Sequence, residues 1–151
     1  MLMPVVLLLL VGMNQLAKIT YTYYTLRKTV YSIATYLSAQ QGVNFCDPAD
    51  PTVTAAINFG LTGTTDGSQP VFVTGLTAGM IQVTPEAVDP LAGTLGPYGS
   101  GCVGSPSFDG TPPSQIVVSI PSGYQIQLRI PYLPMDPILL KPEVKVPYAG
   151  T

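Results

Sequence analysis

No charged side chain occurs before Lys18, and the helical spacing that begins inside that uncharged run continues far beyond it. Of residues 1–17, 13 are apolar, and only Pro4, Gly12, Asn14 and Gln15 interrupt. At about 1.5 Å per residue a helix of this length reaches roughly 26 Å, close to a hydrocarbon core of about 30 Å. The run reads as a minimal membrane span. A cleaved secretory signal fits less well, because no basic stretch precedes the run and no A-x-A-like site follows it.

Leu2, Val5, Leu9, Gly12, Leu16, Ile19, Tyr23, Leu26, Val30, Ile33 and Leu37 are spaced alternately three and four apart. That is an a/d heptad seam. From Asn14 onward the positions off the seam are largely polar, among them Lys18, Thr20, Thr22, Arg27, Lys28, Ser32 and Thr35. A single helix of about 40 residues, apolar first and amphipathic later, is the expectation. Its Thr- and Tyr-rich centre is a poor intrinsic helix former, so packing has to stabilise it. Two kinds of packing are open. The seam meets other subunits along much of its length, or its second half packs on the chain's own domain.

The charges divide the chain. Residues 1–46 hold Lys18, Arg27 and Lys28 with no acid; residues 47–151 hold three cations against eight acids, a net of −5. Charged residues are only 9% of the whole, hydrophobic ones 46%, and there is no His. A nucleic-acid binder needs a basic footprint, which is missing. Intrinsic disorder needs low hydrophobicity and high net charge, and the chain has neither. The chain divides near Phe45-Cys46, into a helical segment 1–42 and a Pro/Gly-rich domain 43–151. The positive-inside rule places Lys18, Arg27 and Lys28 in the cytoplasm, whereas the rest of the chain has an extracytoplasmic composition. A basic leader removed from a precursor would reconcile the two.

The second segment reads as α+β. Asp50 is an N-cap and Pro51 a first-turn proline for a short helix over 51–59, ending near Gly60 or Gly63. Period-2 patterns mark strands at 70–73, 80–84, 115–120, 124–132 and 143–148. Pro121-Ser122-Gly123 reads as a hairpin connection between the third and fourth, and the last strand closes the sheet. Residues 89–113, with six Gly and five Pro, read as a surface loop.

Cys46 and Cys102 are the only cysteines. They form one disulfide in an oxidising compartment or stay two free thiols otherwise. Two Cys without His make a poor zinc site. Asn44, Asp47 and Asp50 are a candidate calcium loop, but lack EF-hand spacing and suit caps and turns better. Glu86 and Asp89, each beside a proline, read as solvated loop acids. The tyrosine stripe Tyr21, Tyr23, Tyr24, Tyr31 and Tyr36 reads as interface packing. Neither G-x-S-x-G, G-x-x-x-x-G-K nor C-x-x-C occurs. The sequence is therefore read as non-enzymatic, without catalytic residues, cofactor or metal.

Met3-Pro4-Val5-Val6-Leu7-Leu8-Leu9-Leu10-Val11-Gly12-Met13, then Tyr21-Thr22-Tyr23-Tyr24-Thr25-Leu26-Arg27-Lys28 and Tyr36-Leu37, resemble the TadE-like family of pilin-related proteins. Val144-Lys145-Val146-Pro147-Tyr148 is similar to that family's final strand. The resemblance covers the first 60 residues and, loosely, the end. It implies a pilin-like α+β fold, a long N-terminal helix followed by a small antiparallel sheet domain with a short helix. It implies a structural subunit of a tight-adherence or type IV-like pilus, held in the inner membrane as a precursor and then part of an extracellular filament. The partners implied are identical or related pilin subunits. The family's basic leader and apolar-helix glutamate are expected upstream of Met1. In that picture the seam from Leu2 to Leu37 leaves lipid and packs on the same seam in other subunits. The alternative is a membrane-anchored periplasmic scaffold or binding protein that does not polymerise.

Overall fold

The computed structural model describes residues 3–45, 47, 49–88, 93, 95–97, 113–128 and 136–150. One unbroken helix, α1 (Met3–Ser38), runs for 36 residues, about 54 Å, passing through Gly12. Its Thr-rich centre is accommodated locally. The hydroxyls of Thr20, Thr22 and Thr25 donate to the carbonyls of Leu16, Lys18 and Tyr21 at 2.8–3.0 Å, so these three hydroxyls need no partner off the helix.

The second helix, α2 (Pro51–Thr62), begins and ends on its own signals. Asp50 accepts from the amides of Thr52 and Val53 at 2.8 and 3.3 Å, and Pro51 occupies the first turn, where no N–H is needed. Gly63, at φ 84°, makes the left-handed C-terminal turn, its N–H bonded to Phe59 O. Gly60 does not end the helix. It lies inside α2 where the two helices touch, and a Cβ there would overlap the Ile33 side chain. Beside this contact the rings of Tyr36 and Phe59 are 5.4 Å apart.

After a 3₁₀ turn (Ala78–Met80) come β1 (Gln82–Val88), β2 (Leu95–Pro97), β3 (Gln115–Ser119), β4 (Tyr124–Ile126), β5 (Ile138–Leu140) and β6 (Glu143–Pro147). An antiparallel sheet has the order β2-β1-β3-β6, and β4 with β5 makes a separate two-stranded sheet. Pro85 sits on β1 opposite Ile116, before β2 pairing starts at Glu86.

The α+β reading holds, and β6 closes one edge of the sheet against β3. The expected hairpin between 115–120 and 124–132 does not form. The turn is present, with Gly123 at φ 75° donating to Ile120 O at 3.0 Å. But both sides of β3 are taken by β1 and β6, so β4 pairs with β5. Strand structure stops at Ile126, and residues 129–132 lie outside the described part. Residues 70–73 form no strand: the Phe72 N–H is spent on Leu61 O at the end of α2. The strand expected at Met80 starts at Gln82, because Met80 closes the 3₁₀ turn. Within the expected 89–113 loop, Leu95–Pro97 is strand β2.

The core lies between α1, α2 and the inner sheet face. Leu26, Val30, Ile33, Ala34 and Leu37 of α1 meet Val53 and Ala56 of α2 and Ile116 and Val118 of β3. It thus draws on both sides of the division at residues 42 and 43. The C-terminal segment clips the end of α1: Ala149 N–H donates to Ser38 O at 3.0 Å, and Tyr148 Oη–H to Gln40 O at 2.8 Å. Burial pushes the Tyr148 phenol above its ordinary pKa, consistent with a hydroxyl that stays protonated to donate.

Candidate functional site

The heptad seam changes character between Tyr23 and Leu26. Val5, Leu9, Leu16 and Tyr23 are exposed, Leu9 at 59% and Leu16 at 67%. Ile19 is half-buried, and Gly12 has no neighbour within 4 Å of an added Cβ. Leu26, Val30, Ile33 and Leu37 are completely buried, at 0%, in the chain's own core. Leu2 lies outside the described residues. The four C-terminal seam positions therefore offer no surface to another subunit, and the alternative in which the second half packs on the chain's own domain describes them. A seam at 3.5 residues per turn drifts about 20° per heptad around a straight helix, so its two ends do not share a face.

The spacing rule also overlooked residues. Val6, Leu7, Leu8, Leu10 and Met13 lie off the seam and are also at least half exposed, as Val5 and Leu9 are. The N-terminal half is apolar all round, the mark of a helix surrounded by apolar material on every side. The signal for this was the uncharged run, not the heptad. The helix is long and apolar enough to cross a membrane.

Where α1 emerges from this apolar half, Tyr24, Arg27, Lys28 and Tyr31 face Glu143, Val144 and Lys145 of β6 across an open cleft of about 500 Å³. Lys145 reaches Glu86 at 3.2 Å and Glu143 at 3.9 Å. Glu86 also accepts from the Gln115 amide. Glu86 is thus no loop acid. It sits in the middle of a cross-strand polar group on the outer face of β1, β3 and β6. Asp89 lies outside the described residues.

Asn44, Asp47 and Asp50 organise backbone. Asp50 accepts amides from Thr52, Val53 and Asn44, and Asp47 accepts from Ala49 N at 2.9 Å. Burial opposes the Asp50 charge, but the Thr52, Val53 and Asn44 amides outweigh it and hold the carboxyl below its ordinary pKa. Among the described residues no three His, Cys, Asp or Glu gather as a metal set. The proposed pairing of Cys46 with Cys102 lies outside the described residues. A second groove of about 500 Å³, between α2 and the start of β1, is bordered by Phe45, Val53, Ile57 and Ile81 with Asp47 and Asn58. What these surfaces provide is apolar contact area and a few fixed charges.

No family model, curated protein or solved structure matches this chain.

Proposed function

We propose that this chain is a TadE-like, pilin-type structural subunit without enzymatic activity. It is held in the inner membrane by the N-terminal half of α1 and assembles through that half into an extracellular filament. One observation carries the reading: a single continuous helix is uncharged and largely exposed from Met3 to Ala17, with only Val11 and Gln15 half-buried among the residues whose burial is described, and is the central core element of a small α+β domain over its second half. Lipid solvates such a half-helix in the monomer, and neighbouring copies of it do so in a filament. Val5, Leu9, Gly12, Leu16, Ile19 and Tyr23 remain the assembly seam. Gly12, bare of neighbours, is the point where two helices approach most closely. Cys46 and Cys102 pair as a disulfide once the domain is outside the cytoplasm.

The test is to shear appendages from source cells and image them by cryo-EM. The expected result is a repeating density that this chain fits, with the N-terminal halves of α1 on the filament axis. A preparation in which no filament carries the chain, while it stays monomeric in the membrane, overturns the filament reading. It leaves the second reading, a membrane-anchored scaffold that does not polymerise. That reading draws on the burial of Leu26, Val30, Ile33 and Leu37 within their own domain, which removes four of the eleven positions of the expected contact seam.

A further inference from the structure

α2 carries the chain back along α1 toward its apolar end. Its N-cap is tied to Asn44, just past α1, and Gly60 near its other end lies on Ile33 and the Thr29 carbonyl. The segment after α2 continues the same way. Thr74, with Tyr124, Gln125 and Ile126 of β4, borders one cleft with Lys18 and Thr22 of α1, and Tyr124 Oη–H donates to Thr74 O at 2.7 Å. The globular part therefore reaches Lys18, the first charge after the uncharged run. No length of bare helix separates the two.

A lysine amine marks where hydrocarbon has to end, since its charge is costly inside and its stem lets the amine reach the boundary. A bilayer that surrounds α1 up to Ala17 then has its headgroup layer, about 5–7 Å deep, at Lys18 to Thr22, a rise of about 6 Å. Thr74 and β4 stand at that height.

Apolar side chains are exposed near that height, among the polar Thr74, Gln125, Gln127 and Asp136. Val71 and Phe72, shortly before Thr74, are 41% and 61% exposed. Ile138 and Leu139, exposed at 37% and 48%, pair with Ile126 and Gln125 of β4. Along α1, Tyr21 and Tyr24 are exposed just beyond Lys18, as aromatic side chains stand at membrane–water boundaries. The Thr20 and Thr22 hydroxyls are satisfied within the helix and bring no unpaired donor to lipid.

We propose that Val71, Phe72, Ile138 and Leu139 form an apolar rim through which the globular domain rests in the headgroup layer of the phospholipid bilayer that holds α1. The occupant is phospholipid because Ile138 and Leu139 pair with β4, and Val71 and Phe72 run from the end of α2 into Thr74; β4 and Thr74 border Lys18, where the apolar helix meets its first charge, so a bilayer that reaches Ala17 brings its headgroups beside them. The inference rests on the membrane-held state of α1 proposed above.

The chain has no Trp, so single reporters are unambiguous. Four variants of the full chain, Phe72→Trp, Leu139→Trp, Leu9→Trp and Ala39→Trp, are placed in phosphatidylcholine nanodiscs without brominated lipid, with lipid brominated at shallow acyl positions and with lipid brominated at deep ones. Circular dichroism checks that each is folded. In the expected result Phe72→Trp and Leu139→Trp lose about half or more of their emission, as for side chains buried at the headgroup–acyl boundary. Leu9→Trp is quenched more strongly by deep-brominated lipid, and Ala39→Trp, at the far end of α1, is unaffected. If Leu9→Trp is quenched while Phe72→Trp and Leu139→Trp are not, the rim is overturned and the membrane anchor stands. Rim reporters that are unquenched but blue-shifted only at high protein-to-disc ratio assign the rim to a second copy, which also overturns the proposal. An unquenched Leu9→Trp removes the anchor, and the rim with it.

Discussion

Gly60 shows how one residue carries a contact between two helices. The residue lies within α2 and faces Ile33, with no room for a methyl group. Gly60→Ala improves helix propensity by about 1 kcal/mol, but overpacking costs about 1–3 kcal/mol. The variant is expected to melt below the parent chain by calorimetry, and the same substitution made in an Ile33→Ala background, which removes the atoms it meets, should cost nothing. Asp50 gives a pH-dependent counterpart. Its folded pKa is depressed, so its contribution is complete above the unfolded value of about 3.9 and is lost as pH falls through the folded value. Asp50→Ala is expected to cost about 1 kcal/mol at neutral pH. Denaturant titrations should show that difference shrinking as pH falls below about 4. The cap was legible because Asp50, Pro51 and Gly63 act on their own neighbours. Gly60 was not, because its reason lies on another helix. Glu86 was misread for the same cause: Pro85 beside it suggested a loop, while its partners Gln115 and Lys145 are 29 and 59 residues away.

At the scale of elements, α1 behaves as two helices in one backbone. Its existence was legible from periodicity, but the environment of each half was not, because an a/d pattern says that a stripe is covered and not by what. Substitutions separate the halves. Leu9→Asp, in an exposed turn, is expected to leave the melting temperature of the detergent-solubilised chain unchanged and to abolish filaments seen by electron microscopy. Ile33→Asp places an unpaired charge in the core, and is expected to cost at least about 3 kcal/mol and leave no cooperative transition. The strands show a related boundary of legibility. Alternation found β3 and β6 nearly to the residue, yet the partner of β4 depended on which edges of β3 were already occupied. Edge occupancy belongs to the whole sheet and leaves no local trace.

For the molecule as a whole, the division by charge and Gly content near residue 45 differs from the division by packing. Leu26, Val30, Ile33, Ala34 and Leu37 form one wall of the core, so the folding unit begins about halfway along α1. A fragment of residues 18–151 is expected to unfold in one cooperative transition with a midpoint near that of the full chain. A fragment of residues 43–151 lacks that wall and is expected to show no transition in calorimetry and rapid amide exchange throughout. Equal protection in both fragments would place the core elsewhere.

The clip made by Tyr148 and Ala149 on Gln40 and Ser38 has a mechanical meaning. Tension applied along α1 leaves the helix at its last turn and enters β6, which is registered over five residues with β3. The load is thereby spread over a ladder of parallel bonds instead of falling on the single connection to α2. A pull on the anchoring end thus reaches the sheet through the two bonds that join the helix end to the tail, alongside the buried face of α1 itself.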